Sequence, residues 1–418
     1  MGNTDKIITD VSADITGNKN GNKSSARAKI VELIMFLSYA FFAVNWIAGT
    51  TLTPQIMQHF NLESFSSATF ISNAITVAKI IGNLLAAKIL VKLYPKKAII
   101  FASILIVGGS ALAVLSPAYI VFIAARFVMG FGGALFIVYF GPVVFHYFDA
   151  EQRATVNGIN AAAYNVGSII AMVIVAPVIE WLVTWQNSML FFAGCSMVLL
   201  VLWLIFGENF DLNTSGGSTE TVSAPVEEYT LRQALKEKFS YAFPFTYAGL
   251  LTLYLVVLTI FPLSNNAPVD PKLLSAVVAI GGIAGSVAGI ALAKKMTLRR
   301  PPIRYAGLAM TLCALAMFVT SSTAFALITA ALLGFLMFLP MTSLVSIPQE
   351  MAGMTPKKLT LIMGIFWSFS YLFESIVYYL LGILIDHAGF QAGLICAVIV
   401  SLTMFIGSFL LPETGKMK

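Results

Sequence analysis

The chain has 418 residues, 58% of them hydrophobic and only 11% charged, with a formal net charge of +6. A soluble domain carries about 25% charged residues, so this chain has too little charge to cover a water-facing surface, and lipid is its expected solvent. Cys195, Cys313 and Cys396 stand alone in separate apolar runs, a spacing that offers neither a metal site nor a disulfide framework.

Residues 1–29 are polar and read as a disordered cytoplasmic tail, without a secretory signal. Apolar runs of about 20 residues can cross a bilayer as helices. Twelve follow, at 30–53, 67–92, 97–116, 118–145, 154–178, 187–206, 241–263, 272–293, 303–322, 324–347, 358–385 and 389–411. Basic residues gather in alternate loops. Lys92, Lys96 and Lys97 follow the second run, Lys294 to Arg304 the eighth, and Lys357 and Lys358 the tenth; the tail adds Lys19, Lys23, Arg27 and Lys29. The opposite loops hold just Lys272. Positive loops stay cytoplasmic, so a multi-pass protein of the cytoplasmic (inner) membrane is expected, with both termini inside.

Residues 207–240 form a cytoplasmic linker, Gly/Ser-rich and acidic in its first half. Thr230 and Gln233 then offer a capping box, and LRQALKEKF reads as a short amphipathic helix on the inner surface. The linker divides the chain into six-helix bundles at 30–206 and 241–411, with a tail at 412–418. GFGGALFIVYFGPVVF in the fourth run corresponds in place and character to GFLMFLPMTSLVSIPQ in the tenth. A weak internal repeat of this kind marks duplicated transporter halves. The expected fold is an all-α membrane protein with twelve transmembrane helices in two pseudo-symmetric bundles.

Ala125-Arg126 with Gly130 and Gly132 is similar to the helix-four Arg and Gly-x-Gly motif of the major facilitator superfamily. GIALAKKMTLRR (Gly289–Arg300) resembles that family's basic loop motif, and KLYPKK (Lys92–Lys97) is a more degenerate copy. Both lack the family's Asp; Val91 and Lys294 stand near its place. The resemblance covers essentially the whole chain and implies a cavity between two bundles that opens to each side in turn. Within the family the chain is loosely similar to the cyanate/nitroimidazole-type branch.

Three charges lie deep inside apolar runs, away from their ends. Ser72, Thr76, Lys79 and Asn83 share one helix face, and Lys79 is about twelve residues from either end, too deep to snorkel. It is read as a substrate or coupling residue, against a lysine locked in a helix-holding ion pair. Arg126 can clamp a carboxylate bidentately; equally, it can bind backbone near the first helix. Trp367, Tyr371, Glu374 and Tyr378 repeat the four-three-four spacing. A carboxylate among aromatics is poorly solvated and can exchange a proton, so Glu374 is the expected proton-coupling residue, against a permanent salt bridge to Lys79 or Arg126. Asn45, Trp46 and Tyr164 are further cavity candidates, against plain packing, and Gly281, Gly285 and Gly289 mark a close helix contact. The first run shows no acid in its membrane core, which weighs against proton-driven drug exporters.

Two cations against one anion favour an anionic ligand. The expected function is secondary active transport of a small organic anion, coupled to protons; the alternative is a proton-linked exporter of drugs or amphiphilic, cationic compounds held by Glu374 and aromatics. Neither a nucleophile–base pair nor a metal cluster is evident, so no enzyme, cofactor or nucleic-acid partner is expected. The expected partners are a small-molecule substrate, protons and the bilayer, around a monomer.

Overall fold

The computed structural model describes the backbone of residues 4–62, 65–212, 229–261, 264 and 268–415, with side chains from Ala26 onward apart from a few positions near 65–72, 172–176 and 271–272. The described residues form fourteen helices and no strand. In the first half these are α1 (Thr4–Thr51), α2 (Thr53–His59), α3 (Phe65–Val114), α4 (Tyr119–Tyr147), α5 (Ala150–Leu182) and α6 (Trp185–Phe206). A single turn, α7 (Leu231–Ala234), precedes the second half. There follow α8 (Phe239–Thr259), α9 (Pro271–Lys295), α10 (Arg300–Val319), α11 (Thr323–Phe338), α12 (Met341–Glu350), α13 (Pro356–Ser401) and α14 (Thr403–Leu410).

Ten apolar segments are long enough to span a bilayer, and two of them, Asn73–Val114 and Pro356–Leu410, are long enough to span it twice. Each double segment folds back at one residue. In α3 it is Tyr94, with φ 63° and ψ 158°; Pro95 follows it and pushes the preceding residue out of the helical region. In α13 it is Gly389, with φ 82°, where the absence of a Cβ makes the left-handed conformation cheap. Counting the arms gives six spans in each half, as the apolar runs predict.

Two predicted runs are broken within one span. The run at 324–347 divides into α11 and α12 at Leu339-Pro340, because proline has no N–H and its ring clashes with the preceding turn. The last run divides at Leu402 into the end of α13 and α14. The predicted capping box forms, with the Thr230 side chain accepting from Gln233 N and the Gln233 side chain from Thr230 N. It caps one turn rather than the whole of LRQALKEKF, since α8 already starts at Phe239. Of the tail expected to be disordered at 1–29, residues 4–29 are helical and begin α1; of the linker at 207–240, residues 213–228 lie outside the described residues. Ala26–Lys29 continue α1, with Arg27 paired to Glu208 at 2.8 Å.

Glycines set the tight packing within each half. A Cβ at Gly130 would meet the backbone of Ile75 in the first arm of α3, one at Gly132 the carbonyl of Ala102 in the second arm, and one at Gly133 the ring of Phe42 in α1. The stripe Gly281, Gly285 and Gly289 lies directly on the carbonyls of Ala331 and Phe335 in α11 and of Leu339 at its C-cap. Without side chains the backbones approach closely, and van der Waals contact replaces the hydrophobic force that lipid does not supply.

Candidate functional site

Lys79 sits in the first arm of α3 and is 1% exposed. Its Nζ lies 4.0 Å from the centroid of the Trp46 ring of α1, 4.6 Å from that of Tyr371 of α13 and 5.7 Å from that of Phe42. Nζ also donates to the Tyr371 hydroxyl at 2.9 Å. Residues from both halves therefore enclose one ammonium group with aromatic faces, which attract it through the ring quadrupole. No carboxylate pairs with it at contact distance among the described residues. Glu374, one turn beyond Tyr371, is 6% exposed and accepts from Ser375 Oγ at 3.4 Å. It attracts Lys79 through the Coulomb field without forming an ion pair.

The walls continue around this point. Tyr164 of α5 packs edge-on against Trp46 at 5.8 Å, and Trp367 stacks on Tyr371 at 6.2 Å and meets Tyr247 edge-on at 5.4 Å. Trp367 Nε1 is buried without a hydrogen-bond partner among the described residues. Thr76, one turn from Lys79, is half-buried. Tyr39 packs on Phe42 at 5.6 Å, behind the ring that faces Lys79.

Three predicted residues point elsewhere. Asn45 donates to Phe41 O at 2.7 Å and to Ser196 Oγ at 3.0 Å, tying α1 to α6. Tyr378 shares a 2.9 Å hydrogen bond with Thr259 Oγ1 of α8. Arg126 is fully buried and donates to the carbonyls of Asn45 at 3.0 Å, Trp46 at 2.8 Å and Ile71 at 3.3 Å. Gly49 makes room for it, since a Cβ there would lie 2.5 Å from Nη1. Of the two readings of Arg126, binding of backbone beside the first helix is the one seen. Neither it nor Lys79 forms a salt bridge to Glu374.

One buried acid was missed. Glu32, in α1, is 7% exposed and lies beside the side-chain amide of Asn160 in α5. The first helix thus holds one buried acid, outside its membrane core and near the linker-side end of its run. Glu32 lies just beyond Lys29, where a charge passes for the polar end of a span; only the packing of α5 against α1 shows that it is enclosed.

The halves are joined on the side of the linker. Ser368 Oγ donates to Ile80 O, Gly364 lies against Asn83 O, and Asn157 of α5 bonds Gln349 at 3.0 Å and Ser346 at 3.3 Å in α12. Lys357 N also donates to Leu212 O, from the start of the linker. Along α3 and α13 the described hydrogen bonds between halves end at Lys79–Tyr371, and Glu374 and Tyr378 beyond them make none. The molecule is thus closed between the site and the linker face.

The sequence model of the Major Facilitator Superfamily matches residues 34–373. The chain belongs to the Major Facilitator Superfamily. Among solved structures of that superfamily, FucP in its outward conformation has a TM-score of 0.68 at 16% identity, with 92% of this chain and 99% of that chain covered. The proton:xylose symporter XylE has 0.71 at 12%, over 94% and 97%. The human organic anion transporter MFSD10 has 0.67 at 12%, over 92% and 99%. These likenesses are likenesses of fold. By sequence, an uncharacterised protein of Campylobacter jejuni is 30% identical over 179 residues, 43% of this chain and 55% of that one. An uncharacterised protein of Mesomycoplasma hyopneumoniae is 25% identical over 259 residues, 58% and 51%. The alignments thus span little more than half the length of these relatives.

Proposed function

We propose that this superfamily member is a secondary active transporter that carries a small organic anion across the cytoplasmic membrane by alternating access, coupled to protons. The observation that supports it most is Lys79: a buried ammonium between the two halves, caged by Trp46, Tyr371 and Phe42, with no carboxylate of the described residues at contact. An unpaired buried charge is costly, and an anionic ligand entering the cage would relieve it. Trp46, Tyr164, Trp367, Tyr371 and Thr76 would line the bound ligand. Arg126, through its grip on the Asn45 and Trp46 carbonyls, would hold Trp46 against Lys79, and Tyr378 would act through α8. Glu374 is the proton site in this reading: an anion at Lys79 screens its attraction for Glu374, which then takes up a proton. Each ligand shifts the other's affinity by the same factor. The positive loops on the linker side support cytoplasmic termini.

The aromatic faces, with Glu374 close by, favour a second reading in which an amphiphilic cation is bound and exported. A thermal-shift screen of the purified protein against carboxylates, sulfonates and amines separates the two, because a ligand adds RT ln(1 + [L]/Kd) to stability. Stabilisation by anions that disappears in Lys79→Gln supports the first. Stabilisation by amines alone, lost in Glu374→Gln, replaces it with the second.

A further inference from the structure

A groove of about 780 Å³ opens on the outer wall of the second half, away from the caged lysine. Phe245 of α8, Phe369, Phe373 and Ile376 of α13, and Leu410 of α14 line it, with Lys238 and Tyr241 at its linker-face end. Its size is that of a ligand pocket. It is exposed to the bilayer: Ile376 is 52% and Leu410 59% accessible. Pro244, which also lines it, removes a helix N–H from α8 just where Tyr241 and Lys238 begin the helix. From Lys238 to Phe245 the groove descends about 10 Å along α8 at 1.5 Å per residue, roughly two-thirds of one leaflet's hydrocarbon depth.

We infer that this groove is a binding site for an anionic phospholipid of the linker-side leaflet, with an acyl chain along Phe245, Phe369 and Phe373 and the phosphate headgroup at Lys238. The chemistry at the two ends differs as a lipid requires. The depth is apolar and aromatic, and the mouth carries an ammonium with no carboxylate partner among the described residues, beside a tyrosine at interface level. Arg232 and Lys236, both exposed, add positive charge just before Lys238. Basic residues where a span meets the inner leaflet attract anionic headgroups. The helix lining the groove is the one that bears the caged site: Leu372 and Phe373 face lipid, while Tyr371 and Glu374 turn inward. A lipid seated there supports α13 from behind, at the level where it contacts Lys79.

The test is binding of phosphatidylglycerol and phosphatidylcholine of identical acyl chains to the purified full chain, read by native mass spectrometry and by melting temperature. Wild type should retain one phosphatidylglycerol more tightly than phosphatidylcholine. Lys238→Gln should reduce that preference about fivefold, one basic contact being lost, while Ala242→Trp, which fills the groove, should remove both lipids. Soluble glycerol phosphate should give no stabilisation. Equal retention of the two lipids by wild type overturns the inference, as does a preference that Lys238→Gln leaves unchanged, or stabilisation by glycerol phosphate alone. Because the wild-type comparison stands without any variant, a variant that fails to fold does not rescue it.

Discussion

Lys79 and Arg126 are both buried cations of the first half, and their surroundings give them opposite expected phenotypes. Lys79 has one hydrogen bond and three ring faces; Lys79→Gln should leave the fold intact and weaken an anionic ligand at least tenfold, the worth of one charge-assisted hydrogen bond at about 1.5–3 kcal/mol. Titration of the purified variant measures this, and unchanged affinity would remove the anion site. Arg126 satisfies carbonyls of Asn45, Trp46 and Ile71. Three hydrogen bonds of a buried charged donor, about 1.5–3 kcal/mol each, are lost with it, so Arg126→Gln should lower the melting temperature or the folded yield. A variant that melts as wild type does, yet loses ligand, would return Arg126 to the binding site. Glu374→Gln mimics the protonated carboxyl. It should bind the anion and exchange labelled for unlabelled substrate across a vesicle membrane, but not accumulate it when a pH difference is imposed. Accumulation at the wild-type level would move proton coupling away from Glu374.

Among elements, the contact of α9 with α11 has the least tolerance. Gly285 lies against the Phe335 carbonyl, with no space for a Cβ. Gly285→Val should therefore force the helices apart and abolish recovery of folded protein on size exclusion; a monodisperse, normally melting variant would contradict the close packing. The contact between α5 and α12 is of another kind. Asn157 shares three side-chain hydrogen bonds with α12, donating to Ser346 and Gln349 and accepting from Gln349, worth about 0.5–1.5 kcal/mol each, and these join the two halves. Asn157→Ala should shift the equilibrium towards opening of the linker face by about tenfold or more. Labelling of a cysteine introduced at Met363, buried against Gly141 of the other half, by a membrane-impermeant maleimide reports it, in an otherwise cysteine-free background with and without the Asn157 change. An unchanged labelling rate would mean that the pair does not hold the gate.

For the whole molecule, six spans on each side of the linker put both chain ends and the linker on one face. Reporters fused after Ser264 and after Lys418 should report opposite faces of the membrane; agreement between them would refute the span count. The face closed by Asn157–Gln349 and Ser368–Ile80 is the linker face, the arrangement of an outward-facing transporter if the linker is cytoplasmic.

Much of this architecture was legible in the sequence, because a bilayer asks a local question of each segment. A helix must satisfy its own backbone and be apolar for about 20 residues, and both properties belong to contiguous residues. The two folded-back segments were readable as well, since Pro95 and Gly389 are local punctuation. Lys79, Tyr371, Trp367 and Glu374 could be singled out because charge and aromatic spacing are rare inside apolar runs. Which of them meet could not be read. Lys79 and Tyr371 are 292 positions apart, and no local pattern says that α3 faces α13 while Asn45 turns to α6. The sequence could not separate Arg126 from Lys79 either, since a buried cation has the same one-letter signature whether carbonyls or ring faces surround it. Glu32 was passed over for the same reason: its burial belongs to the packing of α5 on α1, and only the tertiary structure decides that.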